Sequence, residues 1–262
     1  MHLQEISDDL MSHFSTLIAS ELPSEATAVQ QKAYVTFTLP SVSALEDSDQ
    51  REERTVTLLE RRHLISGSQT TGFRTWEASL HLGAYLCTQV GQRQVRGKSV
   101  LELGAGTGFI SILCAKHLGA KHVTATDGDE GVVEALKENL FLNDLDDEQS
   151  VLTSILRWGR GLKGTWVQEE CEAWPYDTVL GADIVKCPSQ QEINRTLVLT
   201  TDTQTYDKTG ISALVATLRF LFDLRPKVQV VISGAVRNAE TFETFRHACC
   251  KLNSLIEILN AY

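Results

Sequence analysis

Hydrophobic residues recur at two different spacings along the chain, and the spacing predicts where helices and strands form. Within residues 1–33 the apolar side chains repeat at helical spacing, which predicts a helix packed on a neighbouring face. These side chains are Leu10, Phe14, Leu17, Ile18 and Leu22. Tyr34–Leu39 alternates polar with apolar residues and predicts a strand, whereas Ser41–Arg54 is rich in Asp, Glu and Ser and predicts a solvated loop.

From Ser99 onward, short apolar runs alternate with amphipathic segments. The short runs predict strands at Ser99–Leu103, Lys121–Thr126, Ser150–Leu156, Tyr176–Ile184 and Val228–Ser233. The amphipathic segments predict helices at Phe109–Leu118, Gly131–Leu142, Thr209–Leu221 and Asn238–Leu252. Strands that alternate with helices build a parallel sheet with helices on both faces, so we expect an α/β fold.

The composition narrows the class of protein. Hydrophobic residues make up 42% and charged residues 22% of the 262 residues, which is ordinary for a globular protein. No apolar run approaches the ~20 residues of a membrane span, and the acidic start does not resemble a signal peptide. The six cysteines lack zinc-site spacing and predict reduced thiols, with Cys87 and Cys114 in the core and no bound metal. We therefore expect a cytoplasmic protein that does not bind membranes.

The formal net charge of −10 limits the choice of partners. It argues against nucleic-acid binding driven by phosphate neutralisation, and we expect no nucleic-acid partner. A basic protein partner or a lysine side chain as substrate stays compatible with this charge.

A glycine-rich motif carries the strongest chemical signal. Glu102 and Leu103 end a predicted strand, and a helix begins just after Gly108. Between them stand Gly104, Ala105, Gly106 and Thr107, which gives G-x-G-x-G. Glycines allow a sharp turn and a close approach of a cofactor to the backbone. A dinucleotide-binding loop has G-x-G-x-x-G instead, and position 109 is Phe.

An acid follows at the end of the next predicted strand. Asp127 stands where a carboxylate accepts hydrogen bonds from the two ribose hydroxyls of a nucleotide cofactor, although an acid near a helix start is also favoured by the helix dipole. With the glycine motif, it makes residues 99–234 resemble the seven-β-strand S-adenosylmethionine-dependent methyltransferases. This resemblance implies a Rossmann-like, mostly parallel sheet and S-adenosyl-L-methionine as cofactor.

A narrower resemblance lies upstream of the glycine motif. Leu64–Ala78, which reads LISGSQTTGFRTWEA, is similar to the segment that precedes this motif in protein-lysine methyltransferases that modify translation elongation factor 2. Ser79 replaces the second alanine that is common there. Thr75 is suited to cap a helix at Trp76–Thr88. The apolar stripe that we expect on this helix consists of Trp76, Leu80, Ala84 and Cys87.

The resemblance assigns roles to individual residues. It places Trp76 beside the cofactor, where the residue could otherwise serve as a core anchor. Trp158 would pack near the adenine, and Ala182 would leave room for the cofactor at the end of a strand. Asp183 and Tyr206 would orient the substrate amine as the catalytic pair. The full cofactor-binding set that we predict is Trp76, Glu102, Gly104, Ala105, Gly106, Gly108, Asp127, Trp158 and Ala182.

At the end of this strand the family carries Asp, two mostly hydrophobic residues and then Tyr. In this sequence a longer stretch separates Asp183 from Tyr206. Joining Ile184 directly to Thr205 gives GADITYDKTG, which restores the family pattern. Reverse translation of Val185–Gln204 permits GT at its start, a branch-point-like CTAAC within it and CAG at its end. We hypothesise that this stretch is a translated, unspliced intron of fungal type; a surface insertion is the alternative.

These observations predict an N-terminal extension, residues 1–60, and a methyltransferase domain, residues 61–262. The predicted activity is methyl transfer to a lysine of a protein, elongation factor 2, by a monomer. Alternatives are a small-molecule N-methyltransferase of amine or nicotinamide type, a NAD-dependent oxidoreductase, and an impaired or non-catalytic cofactor-binding protein.

The resemblance also implies two closing strands, one of which inserts beside the predicted strand Val228–Ser233. The sequence offers one further strand, Leu255–Leu259. We therefore expect the inserted strand to be missing and the edge of Val228–Ser233 to be open. Leu255–Leu259 would either dock on that edge or stay free.

Overall fold

A computed structural model describes residues 7–19, 31–39, 53–62, 71–145, 150–184, 205–235, 239–250, 252 and 256–261. The helices are α1 (Asp8–Ala19), α2 (Glu77–Leu86), α3 (Gln89–Gln92), α4 (Phe109–Lys116), α5 (Glu130–Phe141), α6 (Trp166–Ala173), α7 (Thr205–Leu224) and α8 (Ala239–Cys250). The strands are β1 (Ala33–Leu39), β2 (Arg54–Glu60), β3 (Ser99–Leu103), β4 (His122–Asp127), β5 (Val151–Ile155), β6 (Thr178–Ala182), β7 (Gln229–Ala235) and β8 (Ile256–Ala261).

Six of these strands form a central sheet in the order β5-β4-β3-β6-β7-β8, and every neighbouring pair runs parallel. β3 and β6 are buried at every position, as expected for strands that helices cover on both faces. The chain leaves β3 toward β4 and β5 and then returns to β6 on the other side of β3. The strand order therefore reverses between β3 and β6, and open α/β sheets bind ligands at the carboxyl ends of such strands.

Two hydrophobic cores lie on the two faces of the sheet, because successive side chains of a strand point to opposite faces. Val100 of β3 belongs to the core that α2, α4 and α5 close, and its neighbour Leu101 belongs to the core that α6, α7 and α8 close. Cys87 and Cys114 are buried in the first core, which confirms their predicted place.

A separate antiparallel hairpin, formed by β1 and β2, packs on the first core. Val56 and Leu58 of β2 are fully buried. The ring of Phe37 meets the ring of Phe109 edge-on, with 5.3 Å between the ring centroids. The hairpin thus contributes directly to the core beneath the glycine-rich motif.

Side chains that directly follow α4 and α5 cover one backbone edge of β2. The N–H of Thr57 donates to Oδ1 of Asn143 at 3.1 Å, and the carbonyl of Thr57 accepts from Nδ2 of Asn143 at 2.6 Å. The imidazole Nε2 of His117 lies 2.8 Å from the carbonyl oxygen of Thr55. These bonds satisfy backbone groups that would otherwise invite another strand to pair there.

The strands predicted from Ser99 to Ser233 are confirmed with ends that differ by at most two residues. The predicted helices are present as α4, α5, α7 and α8, and α7 is longer than predicted. The sequence analysis missed β2, which begins at Arg54, the residue assigned to the end of the acidic loop. The helix predicted over residues 1–33 was too long, because Ala33 opens β1.

Two details predicted for the helix after Thr75 were wrong. Thr75 does not cap α2, since the N-cap position is Trp76 and carries no side-chain cap bond. Ala84 is exposed, so the expected apolar stripe is not the buried face. The residues of α2 that are buried are Ala78, Leu82, Gly83 and Leu86. Gly83 accounts for the choice of buried face. A Cβ at Gly83 would lie 2.7 Å from Cε1 of Phe109, so the face that contains Gly83 lies closely against α4.

The last strand of the sheet docks on the edge of β7. β8 pairs parallel with β7, with Val230 opposite Ile256. Of the two outcomes expected for Leu255–Leu259, docking is the one present, over the described residues Ile256–Ala261. The hydroxyl of Tyr85 donates to the Glu257 carboxylate at 2.9 Å and ties β8 to α2.

Candidate functional site

The candidate site lies at the carboxyl ends of β3, β4 and β6. The loop Gly104–Gly108 follows β3, Asp127 ends β4, and Asp183 follows β6. Because β3 pairs with both β4 and β6, the fold brings these three positions to one edge of the sheet. Residues predicted from separate motifs are thus neighbours in the structure.

The glycine loop adopts a conformation that other residues rarely take. Gly104, Gly106 and Gly108 have φ values of 69°, 55° and 85°, in the left-handed region that glycine tolerates. A Cβ on Gly108 would lie 2.0 Å from Cδ1 of Leu136, so α5 leaves no room for a side chain there. The N–H of Ala105 donates to the Thr126 carbonyl at 2.8 Å and fixes the loop to the end of β4.

Asp127 is held in place by backbone donors. Its Oδ2 accepts the N–H of Gly106 and its Oδ1 accepts the N–H of Asp129, each at 3.1 Å. Burial raises the pKa of Asp127, and the backbone hydrogen bonds from Asp129, Gly106 and Gly128 oppose this shift. Each carboxylate oxygen can accept a further hydrogen bond, so the arrangement suits a pair of ligand hydroxyls.

Glu102 occupies a different environment. Its side chain is 2% exposed, and the hydroxyl of Ser111 on α4 donates to its Oε2. Burial raises the pKa of Glu102 from its ordinary value of 4.5 to about 8, against the hydrogen bonds from Ser111. The Glu102 carboxyl therefore joins β3 to α4 behind the glycine loop, and its contact with a cofactor stays a prediction.

Trp158 lies beside the glycine loop. A Cβ on Gly104 would be 3.6 Å from Cζ2 of its ring. The following residue, Gly159, has φ 79° and donates its N–H to the Thr217 hydroxyl of α7 at 3.0 Å. This turn holds the indole at the carboxyl edge of the sheet, where an aromatic face can pack on a purine. Ala182, with 8% exposure, ends β6 on the same edge.

Asp183 has an unusual backbone for a residue with a side chain. Its φ is 52°, in the left-handed region, and its N–H donates to the Ser233 carbonyl at 2.8 Å. Directly after it, Ile184 packs against the glycine loop, since a Cβ on Gly104 would lie 2.8 Å from its Cγ2. Backbone strain of this kind clusters at functional sites, where the surrounding structure holds it.

The described part of the segment that carries the narrower resemblance, residues 71–78, lies against the glycine loop. The indole N–H of Trp76 donates to the Thr71 carbonyl at 3.0 Å, and the guanidinium of Arg74 stacks on its ring at 4.7 Å from the centroid. The Thr75 and Thr107 hydroxyls are 2.7 Å apart and hydrogen-bonded. This bond joins the segment to the glycine loop. Trp76 directly follows Thr75, the residue that makes this contact.

Tyr206 lies in the first turn of α7, and its side chain is outside the part of the chain that the structure describes. Val185–Gln204 is also outside the described residues. The pairing of Tyr206 with Asp183 therefore stays a prediction.

Sequence reasoning missed Asn139. This buried residue of α5 donates its Nδ2 to the Thr107 carbonyl in the glycine loop at 2.9 Å. The signal was an amide at helical spacing within the apolar stripe that includes Leu136. A buried amide needs hydrogen-bond partners, and here the loop supplies one.

A parallel α/β sheet with a glycine-rich loop after one strand and an acid ending its neighbour is typical of proteins that bind a nucleotide-type cofactor. Residues 62–193 match the lysine methyltransferase family, and the chain belongs to this family. The chain is 47% identical over 244 residues to the protein-lysine N-methyltransferase EFM3 of Chaetomium thermophilum, which covers 93% of this chain and 65% of the relative.

Two further relatives are less similar in sequence. EFM3 of Saccharomyces cerevisiae is 31% identical, covering 77% of this chain and 55% of the relative. The human protein-lysine N-methyltransferase EEF2KMT is 27% identical, covering 72% of this chain and 53% of the relative. The chain thus spans between about half and two thirds of the length of the curated relatives it matches.

Proposed function

We propose that this chain transfers a methyl group from S-adenosyl-L-methionine to a lysine side chain of a protein, namely translation elongation factor 2. The observation that carries the proposal is the placement of Asp127 and Asp183 at the two strands that flank β3 and its glycine loop. Membership of the lysine methyltransferase family supports the reaction. The segment Leu64–Ala78 and the relative named EEF2KMT support the choice of substrate.

The residues present fit S-adenosylmethionine. Asp127, held by two backbone N–H groups, would accept the ribose hydroxyls. Trp158 would cover the adenine, and the glycines would let the cofactor approach the backbone. The remaining predicted contacts are Trp76, Glu102, Ala105 and Ala182. When bound, the cofactor supplies a methyl group already activated on a sulfonium sulfur.

The substrate side of the reaction needs a neutral amine aligned with that methyl group. Asp183 would accept hydrogen bonds from the incoming lysine ammonium and keep the nitrogen in place when it loses its proton. The Tyr206 hydroxyl would orient the same nitrogen. Trp158 and Ile184 would exclude water from the point of transfer.

The proposal includes the setting of the enzyme. No helix within the described part of the chain is long and apolar enough to cross a membrane. We place the activity in the cytoplasm, where elongation factor 2 works, in a monomer without a nucleic-acid or membrane partner. Size-exclusion chromatography with light scattering tests the monomer, and a dimer mass would contradict it.

We propose further that Val185–Gln204 is absent from the active enzyme. β6, Asp183 and Ile184 precede this segment, and α7 begins directly after it. Direct joining of Ile184 to Thr205 would bring Tyr206 close to Asp183 along the chain. Transcript reads across this site test the intron hypothesis, and reads that uniformly retain the segment would contradict it.

The function is tested by incubating the purified chain, with and without Val185–Gln204, with methyl-labelled S-adenosylmethionine and a cell extract. A labelled protein band at the size of elongation factor 2 supports the proposal. Label on small molecules would show an amine- or nicotinamide-type enzyme instead. Tight S-adenosylhomocysteine binding without any transfer would show a non-catalytic binding protein.

A further inference from the structure

A closed ring of hydrogen bonds joins the N-terminal hairpin to the glycine loop. On one side, the N–H of Leu59 in β2 donates to Oδ1 of Asn139 at 2.7 Å. The same amide donates from Nδ2 to the carbonyl of Thr107 at 2.9 Å. A single side chain of α5 therefore connects the hairpin with the residue between Gly106 and Gly108.

The other side of the ring runs through the segment before α2. The Thr107 hydroxyl is hydrogen-bonded to the Thr75 hydroxyl at 2.7 Å. The N–H of Thr75 donates to Oε2 of Glu60 at 2.9 Å. Glu60 follows Leu59 in β2, so the path returns to its start. Four different parts of the chain, namely β2, the segment before α2, the glycine loop and α5, meet in this ring.

All four side chains in the ring are buried: Glu60, Thr75, Thr107 and Asn139. Hydrogen bonds in a buried environment are strong, and breaking one leaves a partner unsatisfied. Moving the hairpin would therefore strain the glycine loop, because these hydrogen bonds lie among buried side chains.

We propose that Asn139 is a positioning residue for the cofactor site and that the β1–β2 hairpin acts through it to hold the glycine loop in its binding conformation. The inference rests on the proposed cofactor site. Asn139 touches no cofactor in this account. It acts through Thr107, whose neighbour Gly106 donates to Asp127. The hairpin is thus part of the binding apparatus in addition to being part of the core.

The chain contains a matched control four residues after Asn139. Asn143, in the turn that follows α5, is also a buried amide, and it also bonds the backbone of β2, at Thr57. Its Nδ2 also donates to the Asn139 carbonyl, and this bond does not reach the glycine loop. Loss of either amide weakens the hold on the hairpin, and loss of Asn139 also frees the loop.

The test compares Asn139→Ala and Asn143→Ala in the full chain by calorimetric titration with S-adenosylhomocysteine. We expect both to lower the melting temperature and Asn139→Ala to weaken binding about tenfold more than Asn143→Ala, the effect of one buried hydrogen bond. Equal weakening in the two variants would overturn the inference. A wild-type chain that does not bind would instead overturn the proposed function.

Hydrogen exchange gives a readout that needs no cofactor. The amide of Gly108, which bonds to the Ala105 carbonyl within the loop, should exchange faster in Asn139→Ala than in Asn143→Ala. Equal exchange would overturn the inference even if the wild type does not bind.

A second pair of variants tests the inference if Asn139→Ala does not fold. Thr75→Val removes the hydroxyl that closes the ring, and Thr75→Ser keeps it. We expect the serine variant to restore the affinity for S-adenosylhomocysteine that the valine variant loses. Equal affinities in the two variants would overturn the inference.

Discussion

The carboxylate of Asp127 accepts the backbone N–H of Gly106 at 3.1 Å, and this bond joins the end of β4 to the glycine loop that follows β3. The acid and the loop therefore form one unit before any ligand arrives. The N–H of Asp129 donates to the other oxygen and fixes the rotation of the carboxylate. A ligand that meets both the loop and the acid finds them already oriented, which reduces the entropy lost on binding.

Asp127→Asn should weaken binding of S-adenosylhomocysteine. Asn can still accept one backbone N–H, so the fold should persist, but the charge that strengthens bonds to the ribose hydroxyls is gone. We expect a loss of about 10- to 100-fold in affinity, the worth of charge-assisted hydrogen bonds. Asp129→Asn is the control, because it removes an equal charge at the start of α5 and keeps an oxygen for the cap on Val132. Similar losses of affinity in the two variants would show that the effect comes from net charge and not from hydrogen bonds made by Asp127.

Gly108→Ala should destabilise the protein through a clash. Gly97→Ala is the control: φ at Gly97 is 70°, comparable to 85° at Gly108, but a Cβ at Gly97 meets nothing within 4 Å. At Gly108 the new Cβ meets the fully buried Leu136. We expect Gly108→Ala to lower the free energy of unfolding by about 1–3 kcal/mol more than the control, the usual range for overpacking. Denaturant unfolding measures the difference, and equal losses would show that Leu136 moves aside freely.

Glu102→Gln should remove a pH dependence of stability. Burial raises the pKa of Glu102 from 4.5 to about 8, so the native protein keeps a proton here that the unfolded chain releases. This contribution is fully present below about pH 4.5 and is lost as pH rises through 8. One proton limits the slope to about 1.4 kcal/mol per pH unit. Gln can accept the hydrogen bond from Ser111 but does not titrate. The unfolding free energy of the variant should therefore fall less with rising pH than that of the unchanged protein. Parallel curves for the two proteins would show that Glu102 is ionised in the native state.

Removal of Val185–Gln204 should raise methyl transfer and leave cofactor affinity unchanged. The glycine loop, Asp127 and Trp158 lie on elements outside this segment. The junction of Ile184 with Thr205 should bring Tyr206 to the substrate lysine. Initial rates and calorimetric titration of the two forms check this. A deletion variant that unfolds, or that binds S-adenosylhomocysteine more weakly, would identify the segment as native.

The parallel sheet and its site edge could be predicted because the sequence encodes them locally. The run from Ser99 to Gly108 combines a buried strand with glycines that the turn requires, and Asp127 follows at the end of the next strand. Asp183 could be placed at a strand end, but its φ of 52° could not be predicted, since it depends on the bond to Ser233.

The errors arose where tertiary contacts override local preference. Thr75 is suited to a helix cap, but its hydroxyl bonds Thr107 across the fold. β2 was missed because it follows an acidic stretch and ends in Glu60, whose burial depends on the N–H of Thr75. Asn139 stands within an apolar stripe, and its partners come from two distant parts of the chain.

The most direct test of the account is peptide mass spectrometry of purified elongation factor 2 after incubation with S-adenosylmethionine and the chain lacking Val185–Gln204. We expect a lysine of the factor to gain methyl groups. Asp183→Asn, which tolerates the left-handed backbone, should lower the rate about 100-fold through misplacement of the amine, while S-adenosylhomocysteine affinity stays unchanged. An unmodified factor, or equal methylation by the Asp183→Asn variant, would contradict the account.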